Sequence, residues 1–225
     1  MDSKVRNHSL SIFFGAIFLL ALLGQSFAGL AVFNDEQLSH GAAPVSYLDF
    51  ITSSDFVVDV AENWQSEYLQ FFLFIFATIW LVQKGSPESK KPGDEGLGSD
   101  EDQMVGAHAI ENSPRWAKAD GWRRTVFSNS LLIVMGVIFL LSWLTQSLAG
   151  LLVYNDEQVQ HGEETITWLS YIASADFWNR TLQNWQSEFL AVGSMVAFSI
   201  FLRQRGSSES KPVGTPHQET STEGE

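Results

Sequence analysis

Two stretches of about 25 residues, 9–33 and 130–154, run without a formal charge, which is longer than the ~20 residues needed to cross a bilayer core. Each predicts a membrane-spanning helix. Two shorter apolar runs follow, 68–82 and 189–202. As helices they cover only about 21 to 23 Å. Extended backwards through Asn63, Trp64, Gln65, Ser66 and Glu67, or through Asn184, Trp185, Gln186, Ser187 and Glu188, they reach a full crossing. The Trp then falls in the interfacial belt and the Glu near the headgroup boundary. The pattern predicts an all-α integral membrane protein with four transmembrane helices, at about 10–33, 63–83, 130–154 and 184–204.

Residues 9–90 align without a gap to residues 130–211, and roughly half of the compared positions are identical. The chain therefore holds two copies of one two-helix hairpin. Because each copy crosses and returns, the two are parallel repeats, related by a pseudo-twofold along the membrane normal. A four-helix bundle is the natural packing. Agreement is poor across 70–80, where lipid asks only for apolar bulk, and close across 63–69. The polar clusters Gln-Ser, Asn-Asp-Glu-Gln with His-Gly, Asn-Trp-Gln-Ser-Glu and Gly-Ser-x-Glu-Ser-Lys recur.

The boundaries that follow are an N-terminal tail (1–8), repeat 1 (9–91), a linker (92–122), repeat 2 (123–211) and a polar tail (212–225) expected to be disordered. The linker begins rich in Gly and acid, then turns basic and aromatic over 116–124, where Trp116, Trp122, Arg123 and Arg124 suit contact with anionic lipid. Asp55 and Asp176, following Ser53 and Ser174, are expected to N-cap helices that run through 63–67 and 184–188 into spans two and four, which gives each repeat a short outer helical segment. Gly85 and Gly206 are expected to end those helices, with Lys84 and Arg205 complementing the dipole.

Charge placement orients the chain. Lys4, Arg6, Lys84, Lys90, Lys91, Arg115, Lys118, Arg123, Arg124, Arg203, Arg205 and Lys211 share one side of the four-span arrangement, and only Arg180 lies on the other. The positive-inside rule puts both termini in the cytoplasm and two acidic loops outside. Lys4, Arg6 and residues 26–29 imitate a signal peptide with its cleavage site. The same Gln-Ser-x-Ala-Gly recurs at 146–150 in mid-chain, so the first span is expected to be an uncleaved anchor.

Composition removes several classes of chemistry. With no cysteine there are no disulfides, thiolate metal sites or cysteine nucleophiles, and a net charge of −13 argues against nucleic-acid binding. No P-loop, Gly-x-Ser-x-Gly, His-Glu-x-x-His or nucleotide fingerprint is present. No enzyme and no cofactor is indicated.

Three constellations remain. Ala21, Gln25 and Gly29, matched by Ser142, Gln146 and Gly150, share a helical face. That face is either a close-packing surface with an interhelical hydrogen bond or, with Gln25 and Gln146 opposed, the lining of a polar path. Glu36 and His40, with Glu157 and His161, stand at i, i+4 before a glycine. They suit a helix C-terminus with an ion pair, a divalent-metal set, or a proton-linked role. Glu67 and Glu188, one turn from Asn63 and Asn184, sit at the membrane boundary, where ionisable groups are costly. They read as an inter-repeat hydrogen-bond network or as part of an ion or proton route.

At Gln25–Gly29, at Asn34, Asp35, Glu36, Gln37, His40 and Gly41, at Asn63–Glu67 and at 83–90, the chain resembles a family of bacterial membrane proteins designated only as a domain of unknown function. The likeness covers roughly 7–91 and 128–211. It implies a cytoplasmic (inner) membrane location and no activity. Val57 departs from the family pattern, which has an aromatic residue there, as repeat 2 does at Trp178.

Three function classes are left: a small-solute or ion permease, or a membrane-assembly component; a metal-binding membrane protein or enzyme using the outer Glu/His cluster; and a non-catalytic scaffold. The lipid bilayer is the one partner the pattern requires. A homo-oligomer or protein partner is left open.

Overall fold

A computed structural model describes residues 3–220. Among them all regular structure is helical: α1 (Ser3–Asn7), α2 (Ser9–Ser39), α3 (Tyr47–Ile51), α4 (Ser54–Trp80), α5 (Trp122–Ser128), α6 (Ser130–Gln160), α7 (Trp168–Ile172) and α8 (Ala175–Phe201), with a single 3-10 turn at Gly106–His108 in the linker. The series α2, α3, α4 recurs as α6, α7, α8 with matching lengths, 31, 5 and 27 residues.

Two helices, α2 and α6, are long and apolar enough to cross a membrane. At about 46 Å each they exceed a ~30 Å hydrocarbon core. The helices α4 and α8 run about 40 Å, but their first halves carry Asp55, Asp59, Glu62 and Glu67, or Asp176, Arg180 and Glu188. The same measure of apolarity therefore does not reach them.

The ends of the helices differ from expectation in two places. Ser53 and Ser174, not the aspartates, are the N-caps: their hydroxyls accept from Phe56 N and Phe177 N at 3.3 and 3.2 Å. A serine in extended conformation brings its oxygen to the third amide of the helix, while Asp55 and Asp176 fall in the first turn and complement the dipole. At the other end α4 stops at Trp80 and α8 at Phe201, ahead of Gly85 and Gly206. Those glycines, at φ 90° and 84°, belong to the turns that follow. Arg203, rather than Arg205, serves the end of α8, its Nη1 donating to the carbonyls of Ser199, Ile200 and Leu202.

The chain divides into two compact units, Met1–Val60 with Thr145–Ser170 and Ala61–Leu144 with Tyr171–Glu225. In the first, each long helix is tied to the short helix that follows it. Asn34 holds the backbone of Val45 at both ends, accepting from its N at 2.7 Å and donating to its O at 3.2 Å. Asn155 does the same to Ile166, at 2.8 and 3.1 Å. One turn pair further back, Ser26 shares a hydrogen with Tyr47 OH at 2.9 Å, and Ser147 accepts from Trp168 Nε1 at 3.0 Å. A methyl group added at Gly29 would stand 2.8 Å from Phe50 Cζ, so only glycine lets that ring seat against α2.

The second unit contains both copies of the Gly-Ser-x-Glu-Ser-Lys turn. Ser89 and Ser210 accept from Gln83 N and Gln204 N at 2.7 and 2.9 Å. Ser86 and Ser207 accept from Glu88 N and Glu209 N at 3.2 and 3.1 Å. Both serines of the motif thus close the first loop after a long helix. Lys211 is buried, its Nζ donating to the carbonyls of Gly85, Pro216, His217 and Glu219. Of the expected disordered tail, 212–220 forms turns and Thr220 accepts from Gly85 N at 2.7 Å, while 221–225 lie outside the described residues.

Candidate functional site

The densest meeting of polar and aromatic side chains lies in the second unit, where α4 and α8 run side by side at Gln65 and Trp185. Tyr171, at the end of α7, is buried, and its hydroxyl donates to Asp176 Oδ2 at 3.3 Å. Burial, reinforced by the Asp176 charge, pushes the phenol well above its ordinary range, so it stays a neutral donor. One turn along α8, Arg180 Nε lies 3.6 Å from Asp176 Oδ2, and its Nη1 lies 3.6 Å from Glu62 Oε2 on α4. The guanidinium bridges two carboxylates.

Three residues on from Glu62, Gln65 is fully buried. Its Oε1 accepts from Trp185 Nε1 at 2.8 Å and its Nε2 donates to Glu62 O at 3.1 Å. Trp143 forms the wall beside this ladder, with ring centroids 5.5 to 6.1 Å from Phe139, Phe177, Trp178 and Trp185. The helical period explains the gathering: Glu62 and Gln65 recur at three residues on α4, and Phe177, Thr181 and Trp185 at four on α8.

The chemistry of this cluster is that of attachment. Arg180 is neutralised by its two carboxylates, which removes it as a receptor for an anion. Tyr171, held neutral, does not shuttle protons near pH 7. Offset and edge-on rings with one indole-to-amide bond fix the register of neighbouring helices.

The residues singled out in the sequence scatter by comparison. Gln146 is fully buried, whereas Gln25 is exposed, so the two amides do not share an environment. Asn63 and Glu67 are exposed. Asn184 is half-buried and donates to the carbonyl of Arg180, one turn back on its own helix, at 3.1 Å. Glu188 is half-buried and near enough to Glu67 for their charges to repel. Glu36, His40, Glu157 and His161 are all exposed, and His161 Nδ1 lies 2.8 Å from Glu157 O. Among the described residues, no group of three or more His, Asp or Glu is placed to hold a metal ion.

Sequence reasoning passed over Glu62, Tyr171 and the partner of Gln65. One signal was available: Arg180 is the lone Lys or Arg between the two predicted spans of either repeat. A solitary cation among acids is a residue whose partners should be sought.

The family model described as Domain of unknown function (DUF6766) matches residues 1–222. No curated protein matches the chain. No solved structure matches it either.

Proposed function

Because the chain belongs to this family, whose description carries no activity, its role rests on its own residues, and we propose that it is a four-span membrane helix bundle serving as a structural component of a membrane assembly, without catalysis. The carrying observation is the use made of its retained polar groups. Asn34, Asn155, Ser26 and Ser147 fasten helix to loop, and Gln65 with Trp185 fastens α4 to α8. Groups engaged in this way hold a shape and are not free to solvate a passing solute.

In this reading α4 and α8 cross with their apolar second halves, Trp64 and Trp185 mark the outer boundary, and the acidic loops face out. Both termini lie in the cytoplasm of an inner membrane. Trp116 and Trp122, with ring centroids 5.9 Å apart, and Arg123 over the Trp122 ring at 5.6 Å offer an aromatic and basic face to anionic lipid. Buried Gln146 and the Glu67 and Glu188 pair favour a second reading, passage of an ion or small solute.

Flux decides between the two. The purified chain in sealed vesicles is expected to raise proton and potassium leakage no more than empty vesicles do. Leakage that saturates with ion concentration and falls in Gln146→Leu would replace the structural reading with the conducting one.

A further inference from the structure

Two sets of matching positions stand out between the repeats. In one, both copies are buried: Ser26 and Ser147 lie under Tyr47 and Trp168, and Phe50 and Tyr171 are both core residues. In the other, one copy is buried and the other exposed, although the residue is the same. Gln146 is fully buried and Gln25 exposed; Gln65 is fully buried and Gln186 exposed. Ser66 is buried and Ser187 exposed, and Leu69 is 7% exposed against 71% for Leu190.

Glycines repeat the division. A methyl group at Gly136 of α6 would stand 3.0 Å from the Phe72 ring of α4. The matching positions, Gly15 of α2 and Gly193 of α8, have nothing within 4 Å.

Twofold use of a repeat buries both copies of a residue alike. Head-to-tail use buries one face from each repeat and leaves the complementary pair of faces unused. The buried members here belong to the second helix of repeat 1 and the first helix of repeat 2, and the unused ones to α2 and α8. We propose that a second copy of this chain covers them: the α2 face bearing Gly15 and Gln25 packs on the α8 face bearing Gln186, Leu190 and Gly193 of another copy. The occupant is a second copy because Gly15 and Gly193 hold the repeat-equivalent places of Gly136 and Phe72, which meet between α6 and α4 within one chain.

This rests on the membrane-spanning reading, which also supplies the driving force. Gln25 lies near the middle of a 31-residue apolar helix, and an amide facing hydrocarbon without a partner is costly. A facing helix with its own amide removes that cost.

The chain has no cysteine, so introduced ones report cleanly. Gly15→Cys and Gly193→Cys are placed on differently tagged copies, co-expressed in membranes and mildly oxidised. A mixed disulfide between the two tags is expected, weakened about fivefold by Gln25→Leu, the factor of one interhelical hydrogen bond. Phe13→Cys, on the far side of α2 from both Gly15 and Gln25, is expected to give none with Gly193→Cys. The proposal is overturned if the Gly15 pair cross-links no better than the Phe13 pair. It is equally overturned if the unmodified chain, helical by circular dichroism, has the mass of one copy in mild detergent. Labelling of Gln103→Cys from outside the cell reports separately on the four-span reading. Failure to cross-link with Gln103 protected sinks self-association alone.

Discussion

The bond between Trp185 Nε1 and Gln65 Oε1, 2.8 Å long with a fully buried acceptor, yields a quantitative prediction. Trp185→Phe keeps an aromatic ring beside Trp143 but leaves the Gln65 carbonyl buried without its donor. A buried acceptor stripped of its partner costs about 1 to 3 kcal/mol, and the smaller ring adds some lost packing. Gln65→Leu removes the acceptor and strands the indole N–H at similar cost. The double variant strands neither group, so its destabilisation falls short of the sum of the singles by about 1 kcal/mol, the usual strength of an interhelical bond. The assay is reversible unfolding of the purified chain in mixed micelles with increasing SDS, followed by far-UV circular dichroism. Single variants within about 0.3 kcal/mol of the parent, or costs that simply add, would refute the claim that this pair fastens α4 to α8.

Other positions give further tests. Gly29→Ala forces a methyl group against Phe50 and is expected to cost about 1 to 3 kcal/mol in the same assay. Gly24→Ala, which meets nothing within 4 Å, is expected to stabilise α2 by up to about 1 kcal/mol. Arg180→Met leaves Glu62 and Asp176 facing each other without their cation and is expected to cost about 1 to 2 kcal/mol, discounted for partial exposure. Adding Glu62→Gln should recover part of that loss. Burial, with the charge of Glu209, raises the Glu88 carboxyl above its usual 4.5. The folded chain then holds its proton to higher pH than the unfolded chain, so the contribution of Glu88 is present below 4.5 and is lost as pH rises through the raised value. Glu88→Gln is expected to flatten that part of the melting-temperature profile, measured from pH 4 to 7.

Local features were legible where periodicity and termination chemistry are local. The recurrence of α2, α3 and α4 follows from the duplication, and the ends of α2 and α6 follow from His-Gly, with Gly41 and Gly162 at φ 75° and 77°. The caps were legible to within two residues, because Ser-x-Asp offers two oxygens near one helix start and only φ/ψ selects between them. The early stops at Trp80 and Phe201 were hidden: Leu81 and Leu202 are apolar and look helical. They leave the helix because the serines at 89 and 210 capture the backbone six residues earlier. The cluster around Gln65 was hidden for a different reason. Gln65 and Trp185 belong to a motif both copies keep, but their neighbours do not recur: Arg180 matches Asp59, and Trp143 matches Leu22. Comparing the copies draws the eye to what both kept, whereas this cluster is completed by residues on which they diverged.

The central claim is that the chain crosses the membrane four times, and the side on which the linker lies tests it most directly. In whole cells, a membrane-impermeant maleimide is applied to Pro44→Cys, Thr165→Cys and Gln103→Cys, each introduced singly into the cysteine-free chain. Four spans predict labelling of positions 44 and 165 from outside, and labelling of position 103 only after permeabilisation. Labelling of position 103 in intact cells, together with position 44, would mean that α4 does not cross, and would contradict the account.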